Sequence, residues 1–142
     1  MLPEGAVSVT GRAWLDREWA SQPLDPDQGG WDWISLHLDD GAKLIGFQVR
    51  DTRGGVFTSG TWIAPDGQAI PFGNGALRLT PLGRGTPPTR WRVELPAQDV
   101  DVQIDAINRD AWMPMLFPYW EGPVRLSGSH AGRGYLEMTG YD

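Results

Sequence analysis

The stretch Trp31-Asp32-Trp33-Ile34-Ser35-Leu36-His37-Leu38-Asp39-Asp40-Gly41 decides the fold. Ile34, Leu36 and Leu38 fall on one side of a period of two, and Trp33, Ser35 and His37 on the other. That is the pattern of a half-buried strand. Asp39-Asp40-Gly41 is a hairpin signal, and Lys43 to Arg50 returns as the next strand. Further strands are expected at Val56–Ile63, Ala69–Phe72, Ala76–Thr80, Arg90–Leu95 and Val100–Ala106. A closing hairpin is expected from Tyr119–Ser127 and Gly134–Thr139. Toward the N-terminus, Val7 to Leu15 also alternates, with a kink at Gly11.

Turn signals separate these runs, among them Arg53-Gly54-Gly55, Pro65-Asp66-Gly67 and Gly73-Asn74-Gly75. Nineteen glycines and twelve prolines in 142 residues agree with many short strands. The expected fold is all-β, one domain over residues 1–142, an antiparallel up-and-down barrel of about 8–10 strands. Such a barrel has room for one small ligand.

Composition narrows the function. The formal net charge of −6 argues against nucleic acid and anionic membranes. No run approaches the ~20 apolar residues of a spanning helix. Met1-Leu2-Pro3-Glu4-Gly5 lacks the basic start and apolar stretch of a signal peptide, which favours the cytoplasm. With no cysteine there is no thiol nucleophile or thiolate metal site. His37 and His130 stand apart without a third ligand, so no metal is expected. Ser127 and Ser129 lie in no recognisable nucleophile elbow.

Eight tryptophans imply a very aromatic core or an aromatic-lined pocket. Asp16, between Trp14 and Trp19, is the candidate acid: an apolar surrounding raises a carboxyl pKa, and proton delivery to an alkene carbon needs such a group. The alternative for Asp16 is pairing with Arg12 or Arg17, or capping a turn. His37 is the candidate base or water-holder if its face lines a pocket, and decoration if it faces solvent. Glu121, beside Tyr119 and Trp120, reads as a second carboxylate of the site or as the partner of an arginine such as Arg50 or Arg92. Asp32 reads as outward-facing or as acceptor of a tryptophan N–H. Trp14, Trp19, Trp33 and Tyr119 would form the apolar wall. Trp112 and Met115, within Trp112–Phe117, would form a lid over one mouth, or a plug sealing it.

Several segments in order carry a resemblance: Gly11-Arg12-Ala13-Trp14-Leu15-Asp16-Arg17-Glu18-Trp19, Gly30-Trp31-Asp32-Trp33, Leu38-Asp39-Asp40-Gly41, Gly60-Thr61-Trp62, Tyr119-Trp120-Glu121-Gly122, and Gly132 to Tyr141. Together they resemble the C-terminal lipocalin-like half of the carotenoid 1,2-hydratase (hydroxyneurosporene synthase) and AttH-like family. The resemblance implies a lipocalin-like barrel of the kind that occurs in tandem pairs. It also implies an apolar isoprenoid- or polyene-like ligand and cofactor-free hydration or cyclisation, with Trp14-Leu15-Asp16 matching an aromatic–any–acid step linked to activity. The sequence departs from the family pattern in three places. The first barrel is absent, the loop before Trp91 is the short Gly83–Thr89, and an expected acidic pair after Ile107 is Arg109-Asp110-Ala111-Trp112. Absence of a partner barrel leads to the expectation of self-association, as a homo-oligomer or against another barrel. Two other readings stand beside catalysis: a non-catalytic lipocalin-like carrier or interaction domain, and a carbohydrate binder with tryptophans exposed in a shallow groove.

Overall fold

A computed structural model describes residues 5–17 and 24–141. Among the described residues ten strands form: β1 Gln28–Leu38, β2 Lys43–Asp51, β3 Val56–Ile63, β4 Ala69–Phe72, β5 Arg78–Pro81, β6 Arg90–Leu95, β7 Val100–Ala106, β8 Trp112–Met113, β9 Tyr119–Gly128 and β10 Gly132–Thr139. A 3-10 turn at Pro96–Gln98 joins β6 to β7. All pairings are antiparallel, in the order β4-β3-β2-β1-β10-β9-β7-β6-β5, with β8 added on β9.

The order is almost that of the sequence, because two-residue-period strands joined by short Gly- and Asp-containing turns pair with their neighbours. It is folded back at its centre, where β1 meets β10. The end strands β4 and β5 are not hydrogen-bonded to each other, so the sheet is a curled half-barrel of lipocalin-like type, closed short of a full ring. Pro71 in β4 and Pro81 in β5 suit edge positions, since proline cannot donate to a ladder.

The concave face is filled. Ile34, Leu36 and Leu38 of β1 pack with Leu44, Trp62, Leu77, Trp91, Val93, Ile104, Trp120, Val124, Leu136 and Met138, all buried. Each such side chain contributes about 1.5–3 kcal/mol when fully removed from water. Gly46 of β2 makes room for this curl: a Cβ there would press on the Leu77 side chain. The faces assigned to β1 from its alternation are those observed.

Val7 to Leu15 is not a strand. Residues 5–17 have no regular structure, and Val7, Val9 and Leu15 are exposed. Alternation alone does not make a strand where no neighbour offers a ladder.

Asp32 also lies otherwise than read. It faces the concave side and is fully buried. Its Oδ2 accepts hydrogen bonds from Gln48 Nε2 at 2.7 Å and Arg50 Nε at 3.1 Å, and its Oδ1 from the Tyr141 hydroxyl at 2.9 Å. The Arg50 guanidinium lies 4.1 Å from the centroid of the Tyr141 ring and also donates to the Thr139 carbonyl. Burial pushes the Asp32 carboxyl above its ordinary value, while Arg50, Gln48 and Tyr141 pull it back.

Candidate functional site

The face of β1, β10 and β9 opposite the core carries three cross-strand rows. Phe47, Trp33, Glu137 and Glu121 are paired in register, as are Ser35, Tyr135 and Pro123, and as are Lys43, His37, Arg133 and Arg125. Residues two apart on one face lie about 7 Å from each other along a strand. The floor therefore runs from two carboxylates through an aromatic and apolar middle to a basic row.

Gly11 to Asp16 crosses this floor as a strap. Between strap and sheet is a cleft of about 900 Å³. Arg12, Trp14 and Asp16 line it from the strap, and Trp33, Ser35, His37 and Asp39 from β1 and its turn. Glu121 and Pro123 of β9 and Arg133, Tyr135 and Glu137 of β10 complete it. The Trp14 indole stands edge-on to the His37 ring, centroids 6.3 Å apart at 76°. Trp14 Nε1 is buried with no hydrogen-bond partner among the described residues. A buried donor without an acceptor carries a desolvation cost of about 1–3 kcal/mol.

The electrostatics follow from these neighbours. Burial, Arg12 and Lys43 lower the His37 pKa from 6.5. Burial and the Glu121 carboxylate, which also accepts a hydrogen bond from the Tyr135 hydroxyl, raise Tyr135. Burial, Glu121 and Glu137 raise Tyr119. Trp31 Nε1 donates to Glu137 at 2.8 Å.

Of the residues singled out in the sequence, Asp16, His37, Glu121, Trp14 and Trp33 come together in this cleft. It lies outside the curl, not in a lumen; the concave side that would have been the lumen holds the core. Asp16 is exposed, and its Oδ1 accepts the backbone N–H of Arg17 at 2.9 Å. Glu121 has neither expected arginine: Arg50 pairs with Asp32, and Arg92 with Glu94 and Asp101. Tyr119 sits beside Glu121 without lining the cleft. Trp112 packs against the core from β8, and Met115 is exposed in the following loop; neither reaches the cleft. Trp19 falls outside the described residues. Arg133, Tyr135 and Glu137 were missed. Their alternation in Gly132–Thr139 marks one face, but only the β1–β10 pairing shows that this face adjoins Trp33 and His37.

Among the described residues no group of three or more acid or histidine side chains is placed to hold a metal ion. Among the described residues no helix is long and apolar enough to cross a membrane.

The curled antiparallel sheet with its one-sided core defines a lipocalin-like all-β protein. The model of the AttH-like family matches residues 1–141, and the chain belongs to that family. An AttH protein from Nitrosomonas europaea has 32% identity and a TM-score of 0.75, over 87% of this chain and 42% of that one. Kievitone hydratase from Nectria haematococca has 18% identity and a TM-score of 0.68, over 87% and 42% respectively, and shares the fold. The chain thus spans less than half the length of either structure. No relative is found among curated proteins.

Proposed function

We propose that the cleft under the Gly11–Asp16 strap binds a small apolar molecule of isoprenoid or polyene type. The observation that carries this reading is the lining itself: Trp14, Trp33, Tyr135 and Pro123 supply apolar surface in a cleft of about 900 Å³ with polar groups at its ends. A concave, mostly apolar site with a few placed polar groups is the usual form of a small-molecule site.

A second reading adds chemistry, and Asp16 on the cleft wall beside Trp14 favours it. In cofactor-free hydration, the Asp16 carboxyl would give its proton to one alkene carbon. The tertiary cation formed would be stabilised by the Trp14 and Trp33 π faces. Water would add to the cation and return a proton to a base, His37 or Glu121. In cyclisation a second double bond would capture the cation in place of water. Asp16 is exposed, so a seated ligand would have to supply the dry surrounding that keeps such an acid protonated. Binding without turnover, as in a carrier, therefore leads. The half-open cleft between strap and sheet, deeper than a shallow groove, suits an elongated apolar ligand better than a sugar.

Tryptophan-fluorescence titration with geraniol tests both readings, on the chain and on Asp16→Asn. Saturable quenching in both variants is the expected result for binding. Product formed by the chain and lost in Asp16→Asn would establish the acid. No quenching at any soluble concentration would end the reading.

A further inference from the structure

The basic row is the feature that the apolar reading does not use. Lys43, His37, Arg133 and Arg125 are directly opposite one another across four neighbouring strands, β2, β1, β10 and β9. Arg133 and Arg125 are permanent charges directly opposite each other, and like charges so placed are destabilising. The chain as a whole carries a net charge of −6, so the row is not the overflow of a basic composition. Arg12 of the strap adds a further cation, close enough to act on His37. No ion pair among the described residues joins Arg12, Arg125 or Arg133 to a carboxylate. The acidic side chains of the cleft are Asp16, Asp39, Glu121 and Glu137; the last two lie two rows away, about 13 Å along the strands.

Three observations converge on one end of the cleft. Two exposed guanidinium groups, Arg12 and Arg133, line it with no ion-pair partner among the described residues. The buried Trp14 Nε1 has a hydrogen to donate and no acceptor among the described residues. Trp14 contacts His37, a member of the basic row. Guanidinium and indole N–H groups are donors only. One group that would accept from all three at once, in place of water on the two arginines, is an oxygen anion, and charge-assisted bonds to such a group are the strong ones.

We propose that the ligand of this cleft is an amphiphilic anion: an apolar tail on Trp33, Tyr135 and Pro123, and an oxyanion head held by Arg133, Arg12 and Trp14 Nε1. The proposal rests on the ligand-binding reading of the same cleft and narrows it to a charged class. A bound head group would relieve the repulsion within the row and satisfy the indole N–H. It would also fix the tail's direction, pointing it toward Glu121 and Glu137.

The test compares three probes with one ten-carbon tail: geraniol, geranic acid and geranyl phosphate. Each is titrated against the intact chain by tryptophan fluorescence at low salt and neutral pH. Geranic acid or geranyl phosphate should bind about tenfold or more tightly than geraniol, the size of one charge-assisted hydrogen bond. Whichever anion binds better assigns the head as carboxylate or phosphate. The preference should shrink with added salt. It should collapse in Arg133→Gln and survive in Arg84→Gln, a surface arginine away from the cleft. The His37 titration midpoint, followed by NMR, should rise when the anion binds and not when geraniol does. Equal binding of all three probes would overturn the proposal and leave the apolar cleft standing. Binding of none would overturn both.

Discussion

Asp32 and Arg50 form an ion pair across β1 and β2, Oδ2 to Nε at 3.1 Å, with the carboxylate fully buried. It fastens the end of β10 and the residues just after it to β1 and β2, because Arg50 also reaches Thr139 and Tyr141 reaches Asp32. Removing one partner of a buried pair strands the other. Asp32→Ala should lower stability by about 3–5 kcal/mol, read from the urea midpoint. Arg92→Ala, at the exposed pair with Asp101, should leave the midpoint nearly unchanged. Equal shifts in the two variants would show that the Asp32 network is not the fastening described.

His37 should give the chain a pH dependence in the weakly acidic range. Its native midpoint lies below 6.5, so the folded state binds a proton less readily than the unfolded chain. Its contribution is present above pH 6.5 and is lost as pH falls through that value and the native midpoint. Denaturation followed across this range should show the slope in the chain and a flatter curve in His37→Gln. Lys43→Gln should move the NMR midpoint of His37 upward, since Lys43 is one of the charges that lower it.

Gly140 has φ +71°, and a Cβ there would overlap the carbonyl oxygen of Gly29. Gly140→Ala should destabilise by about 1–3 kcal/mol or more from backbone strain and collision together. Gly73→Ala is the control: its Cβ would meet nothing within 4 Å. Thermal denaturation of both variants separates a requirement for glycine from a general effect of substitution.

Met115, Leu116 and Phe117 are exposed on the loop between β8 and β9, Leu116 to 92%. This is a surface through which the self-association expected from the sequence would act. Sedimentation should show association that rises with concentration and weakens in Leu116→Glu. A clean monomer at high concentration would remove that expectation.

The strand ladder was legible because Trp31–Leu38, Arg90–Leu95 and Val100–Ala106 alternate cleanly and their turns carry glycine or aspartate. Even the two faces of β1 could be assigned. What alternation does not carry is the partner. Val7–Leu15 alternates as well, yet it lies over the sheet as a strap. The period of two shows that Trp33 and His37 share a face, but not that the filled side is the concave one. For Asp32 the tryptophan neighbours in sequence point to an indole partner that the fold does not supply. Its actual partners, Gln48, Arg50 and Tyr141, come from β2 and from beyond β10. The cleft was half visible: its β1 and strap residues could be named, while Arg133, Tyr135 and Glu137 needed the β1–β10 register.

That register bears on how the chain acquires its structure. Asp32 lies opposite Met138, and Ile34 opposite Leu136, so the middle of the sheet is made from strands remote in sequence. Contacts of that kind slow folding, because a long loop must close before they form. On the ribosome, the β2–β3 and β6–β7 hairpins can assemble as they emerge, but β1 keeps an open edge until β10 is released. Its exposed ladder is open to other chains in that interval. Productive folding of this sheet is therefore a race between the arrival of β10 and capture of the open edge of β1.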